Sequence, residues 1–171
     1  MTDTTNSESD MTAAATEKSK GLDLPPEIEQ SFAKALRGEG ELIDAFDVDE
    51  LFLENVEQKA YSFYASGRYH SAEVLLSGLN SLDSKRVYPN LLLGDIALRT
   101  GRNEKAREHL EAAYEQDASD PTITLKLAEV MLNDGETEPA LGLLESALEL
   151  ADDGSPVANR ATTLLDLHGS E

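Results

Sequence analysis

A period of 34 residues constrains this chain more than any other feature. Gly67, Gly101 and Gly135 stand 34 residues apart. Five residues after each glycine is an alanine: Ala72, Ala106 and Ala140. Four further on are Leu76, Leu110 and Leu144, and three further again Leu79, Ala113 and Ala147. Seven residues before each glycine is a small residue: Ala60, Gly94 and Ala128. Self-similarity at such a period marks a repeat protein, whose units bury their apolar faces only by stacking on one another. Small residues at two places per unit let two antiparallel helices approach closely. The glycine between them supplies the left-handed backbone that ends the first helix.

Counted within each unit, the recurring positions are 8, 15, 20, 24 and 27, which match the tetratricopeptide pattern. The units are 53–86, 87–120 and 121–154. The predicted fold is therefore all-α: three tandem helix-turn-helix repeats in a curved superhelix. Composition agrees. The chain is 40% hydrophobic but only 5% aromatic, without tryptophan, which suits helices packed through Ala and Leu better than a β-sandwich. Asp47 or Asp49, Ser119 or Asp120 before Pro121, and Ser155 before Pro156 predict helix starts. The last of these opens a capping helix over 155–168, which would cover the final exposed apolar face. Ahead of the repeat domain at 49–168, residues 1–21 carry too little apolar surface to offset their ordering entropy, and read as a disordered tail. Residues 22–48 read as a helical segment, with Ile28, Phe32, Ala35 and Leu36 on one face.

The formal charge is −20. A surface this acidic repels phosphate backbones and anionic membranes and favours basic or amphipathic partners, so neither nucleic acid nor membrane is an expected partner. Without cysteine there are no disulfides or thiolate metal sites. No apolar run reaches the length of a membrane span, and the first 21 residues lack the regions of a signal peptide. Phosphate loops, dinucleotide fingerprints and HExxH are missing. His70, His109 and His168 have no partner at helical spacing that would make a metal pair. Asp47, Asp49 and Glu50 lack the glycine and spacing of a calcium loop and suit a helix N-terminus. The expectation is a protein that is not an enzyme and needs no cofactor.

Stacked helix pairs present a concave face lined by the first helix of each unit. The inward positions are 2, 5, 9 and 12. They hold Glu54, Glu57, Tyr61 and Tyr64, then Tyr88, Leu91, Asp95 and Leu98, then Thr122, Leu125, Glu129 and Leu132. Tyr61, Tyr64, Leu91, Leu98, Leu125 and Leu132 are expected to form an apolar track framed by acids. Apolar surface of that extent usually marks an interaction site. Repeat arrays that clamp the C-terminal carboxylate of heat-shock chaperones need cations here. Glu57, Tyr61 and Leu92 stand there instead, with Lys126 the one match, so that ligand is excluded.

The stretch from Gly38 to Leu82 contains Ala60, Tyr61, Tyr64, Gly67, Tyr69 and Ala72 in an AYxxYxxGxYxxA pattern. This resembles the class II chaperones of bacterial type III secretion, the translocator chaperones of the SycD/LcrH kind. The likeness runs over roughly residues 28–168. It implies a cytoplasmic bacterial protein that keeps two hydrophobic pore-forming translocators soluble before export. It also implies an extended client segment held in the groove, with Tyr61 and Tyr64 among the contacts, and a homodimer formed through residues 25–46. Glu57 departs from the resemblance, where an aromatic is usual. A general tetratricopeptide scaffold, or a regulatory subunit of some other assembly, is the alternative that the repeats alone allow.

Overall fold

The computed structural model describes residues 48–169, together with Gln30, Lys34, Glu39, Gly40 and Ile43. The expected tail over 1–21 and most of the 22–48 segment, with most of the stretch 25–46 expected to dimerise, lie outside the described residues. The described residues form helices α1 (Glu50–Ala65), α2 (Tyr69–Leu82), α3 (Val87–Arg99), α4 (Asn103–Gln116), α5 (Pro121–Asn133), α6 (Thr137–Leu150) and α7 (Pro156–His168), and no strand is found among them.

Helix starts follow local chemistry. Asp49 caps α1 by accepting from Leu51 N at 3.0 Å. Asp120 caps α5 through Thr122 N at 2.7 Å, and Ser155 caps α7 through Ala158 N at 3.1 Å. In both of the latter, proline occupies the first helical turn, where its missing N–H is not needed. The ends of α1, α3 and α5 are three copies of one turn. Gly67, Gly101 and Gly135 adopt φ of 74°, 72° and 80°. The next residue donates back into the helix each time: Arg68 to Phe63 O, Arg102 to Ala97 O and Glu136 to Met131 O, all at 2.8 Å. This satisfies the helix's last carbonyls and reverses the chain in three residues.

The helices form two layers. α1, α3, α5 and α7 each touch the next along one layer, while α2, α4 and α6 fill the other. The core is a chain of three clusters. The first joins α1, α2 and α3 through Ala60, Ala72, Leu76, Leu92, Leu93 and Ile96. The second joins α3, α4 and α5 through Ala97, Ala106, Leu110, Leu127 and Val130. The third joins α5, α6 and α7 through Leu125, Ala128, Leu144, Ala147, Ala161 and Leu164. Each unit is thus buried by its neighbours, as a one-dimensional array requires.

The closest approach is at Gly94. A Cβ built there would lie 2.5 Å from Leu110 Cγ, and Leu110 is fully buried. Gly142 lies in α6 with nothing within 4 Å of such a Cβ. These two helical glycines should therefore respond with opposite signs. Gly94→Ala should lose about 1–3 kcal/mol to overpacking, against a gain in helix propensity of at most about 1 kcal/mol. Gly142→Ala should gain about 0.5–1 kcal/mol. Urea denaturation of both variants checks the pair.

Candidate peptide-binding groove

The face formed by α1, α3, α5 and α7 carries two recesses; of the residues expected to line one apolar track, Tyr61 lines the first and Leu98 and Leu132 the second. The first is a cleft of about 280 Å³ lined by Glu54, Glu57, Gln58, Tyr61 and Tyr88. Tyr61 is 51% exposed, and its ring lies 6.0 Å from that of Tyr64 at 30°. Tyr64 in turn packs 6.0 Å from Tyr69 on α2. Such tilted ring pairs give a rigid apolar wall. Glu57 does not face this wall as an unpaired acid. Arg86, at the start of α3, donates Nε to it at 2.9 Å and its terminal amino groups to Glu50 at 2.9 and 3.3 Å. The hydrogen bond from Arg86 holds the Glu50 carboxyl below the usual carboxylate range. Burial, followed by the nearby Tyr61 and Glu57, raises the Tyr88 phenol.

The second recess is larger, about 560 Å³, and is lined from α3, α5 and α7. Leu98, Leu132, Leu164 and Leu167 supply its apolar surface; Asp95, Arg99, Lys126, Glu129 and Arg160 supply its charge. Asp95, on the wall of this second recess, is only 4% exposed. It accepts from Tyr64 Oη at 2.5 Å and from Arg99 Nε at 2.6 Å, and Lys126 Nζ forms an ion pair with it at 2.9 Å. Lys126 also donates to Glu129 at 2.9 Å, and Arg160 of α7 donates Nε to the other Glu129 oxygen at 2.8 Å. The Arg99 guanidinium lies 5.6 Å over the Tyr64 ring. Burial opposes ionisation of Asp95, but hydrogen bonds from Arg99 and Tyr64 and the charge of Lys126 outweigh it, so the carboxyl is held below its ordinary value. Burial and the hydrogen bond to Asp95 push the Tyr64 phenol up to about 12. For Lys126, burial favours the neutral form, but bonds to Asp95 and Glu129 prevail and its affinity for the proton is raised.

This arrangement corrects two expectations. Asp95 is not an acid framing the groove; it is the buried centre of an ion network, because Lys126 and Arg99 flank it from both sides. Leu125 contributes no groove surface, because it is 4% exposed and packs with Ala128 and Leu144. Leu91 is half-buried and packs, like Leu98, against the middle core cluster. Thr122 is half-buried beside the α5 cap. The apolar track is thus interrupted in the middle by charge. Arg86, Arg99 and Arg160 were missed by inspection of the inward positions. Arg99 was legible as the i+4 partner of Asp95 on one helix. Arg160 was not, since it reaches Glu129 from a helix 31 positions away. Among the described residues, no group of three or more His, Asp or Glu is placed to hold a metal ion, and no helix is long and apolar enough to cross a membrane.

A tetratricopeptide repeat family model matches residues 97–164. The Yersinia enterocolitica type III secretion chaperone SycD, solved with a peptide of the translocator YopD, superposes with a TM-score of 0.66 at 24% identity, over 72% of this chain and 97% of that one. A type III secretion complex from Aeromonas hydrophila gives 0.70 at 25% identity, over 82% and 96%. PcrH from Pseudomonas aeruginosa gives 0.64 at 24% identity, over 72% and 96%. The chain has the tetratricopeptide fold of the translocator chaperones. No curated protein sequence matches it.

Within that fold the Asp95 network carries a pH signature. A carboxyl held below its ordinary value of 3.8 stabilises the folded chain above that pH, and this contribution is lost as pH falls through the depressed value. Asp95→Asn should lower stability at pH 7 by about 2–3 kcal/mol, because it leaves the cations around it uncompensated. The gap between wild type and variant should close below pH 3.8. Urea denaturation of both proteins across pH 2–7 measures it.

Proposed function

We propose that this chain is a holding chaperone of a bacterial type III secretion system, acting in the cytoplasm on hydrophobic translocators before their export. The observation that carries this reading is the coincidence of two features. The fold is that of chaperones solved with translocator segments, namely YopD with SycD and PopD and PopB with PcrH. The α1–α3–α5–α7 face of this chain carries an aromatic cleft and a mixed polar and apolar basin of a size to take side chains. A membrane-active client aggregates while its apolar segments are exposed. A groove that masks one extended segment lowers the concentration of the exposed form by mass action, without nucleotide or covalent chemistry. The −20 charge keeps the resulting complex dispersed. The proposed contacts are Tyr61, Tyr88 and Glu57 in the cleft and Leu98, Leu132 and Glu129 in the basin. Tyr64, Leu91, Asp95 and Leu125 support them from beneath.

Tyr61 is the residue to test, since it is half exposed and its loss leaves the Tyr64–Asp95 bond in place. Co-expressed translocators from the same secretion system should be soluble with the wild type and should precipitate with Tyr61→Asp, with helicity and melting unchanged. If instead the translocators precipitate alongside the wild type, while folded proteins are retained, the chain is a general tetratricopeptide scaffold.

A further inference from the structure

The basin at the α7 end of the face gathers cations on a strongly acidic chain. Arg99, Lys126 and Arg160 converge there on two carboxylates, Asp95 and Glu129. Three cations against two anions leave a local positive excess in a chain of charge −20. Lys126 is engaged with both carboxylates and only 22% exposed. The two arginines differ. Each is tied to the network through Nε, and their side chains remain 49% and 52% exposed. Beside them Leu132 and Leu167 form an apolar wall, with Leu167 67% exposed.

We propose that this basin is a subsite for an acidic side chain of an extended partner segment, whose neighbouring apolar side chain seats against Leu132 and Leu167. The proposal rests on the reading of this face as a peptide-binding groove and adds a rule for what it accepts. Averaged over a chain of charge −20, a carboxylate meets repulsion. At the basin it meets two guanidiniums already held in position by Asp95 and Glu129, so little side-chain freedom is lost on binding. Charge-assisted bonds to arginine are strong and directional. The aromatic cleft and the basin are joined through Tyr64 and Asp95. A segment filling both lies along the face and offers it side chains, not a chain end.

The test is a selection from random peptides displayed with both ends blocked, using the full chain as bait. A second library ends in a free carboxyl terminus. Wild type should enrich blocked peptides in which Asp or Glu adjoins Leu, Ile or Met. An enriched peptide, synthesised and amidated, should bind Arg160→Gln about tenfold more weakly. Its Glu→Gln version should bind wild type equally weakly, and the two changes together should cost no more than either alone. Arg99→Gln serves as a second variant, with circular dichroism melting to verify that both remain folded. Enrichment of apolar or basic peptides lacking an acid overturns the subsite and leaves the groove reading intact. So does enrichment confined to free carboxyl termini. Enrichment of nothing from either library overturns both.

Discussion

Where α3 crosses α4, the backbone of Gly94 lies against the buried Leu110 side chain with no room for a methyl group. Ala60 and Ala128 occupy the place of Gly94 in the first and third pairs, and Ala72, Ala106 and Ala140 recur on the second helices, all of them fully buried. Everything else in the molecule depends on this close approach. It brings each helix pair near enough for leucines at Leu76, Leu110 and Leu144 to fill the remaining volume. It also stacks successive pairs at one spacing, so that α1, α3, α5 and α7 fall into a single layer. The glycines at the turns make it possible, because only a residue without Cβ reverses the chain so tightly at no steric cost.

That layer then decides how charge is distributed. A strongly acidic chain has few cations to place. Arg86, Arg99, Lys126 and Arg160 all lie on or beside the groove face, each in contact with a carboxylate from another helix or another turn. The consequence is a face that is less acidic than the sequence implies, with an aromatic recess at one end and a positively biased, mixed polar and apolar one at the other. The face thus has two chemically distinct recesses, the second built around a polar centre at Asp95. The short bond from Tyr64 and the pair with Lys126 link all three repeats across this centre, since Tyr64, Asp95 and Lys126 come one from each.

The repeats, their turns and their caps were legible in the sequence because each rests on local chemistry. Asp49, Asp120 and Ser155 cap the helices that follow them, and the glycine period marks the reversals. The groove was legible only in outline. Tyr61, Tyr88, Leu98 and Leu132 line recesses of the face they were assigned to. Leu125 does not, since helix rotation turns it into the core, and periodicity does not specify rotation to that accuracy. Asp95 was read as an acid on a rim because nothing beside it in the chain shows that Lys126 will stand 2.9 Å away.

By itself, then, the sequence determined the architecture: a 34-residue period of small residues and glycines admits one way of stacking helix pairs, and each requirement acts over a few residues along the chain. Only the tertiary structure decided the character of the face formed by α1, α3, α5 and α7. Whether a carboxylate is an exposed acid or a neutralised hub depends on cations some 30 positions away, as Lys126 is from Asp95 and Arg160 from Glu129. Coulomb interaction follows distance in space, and that distance exists only once the repeats have stacked.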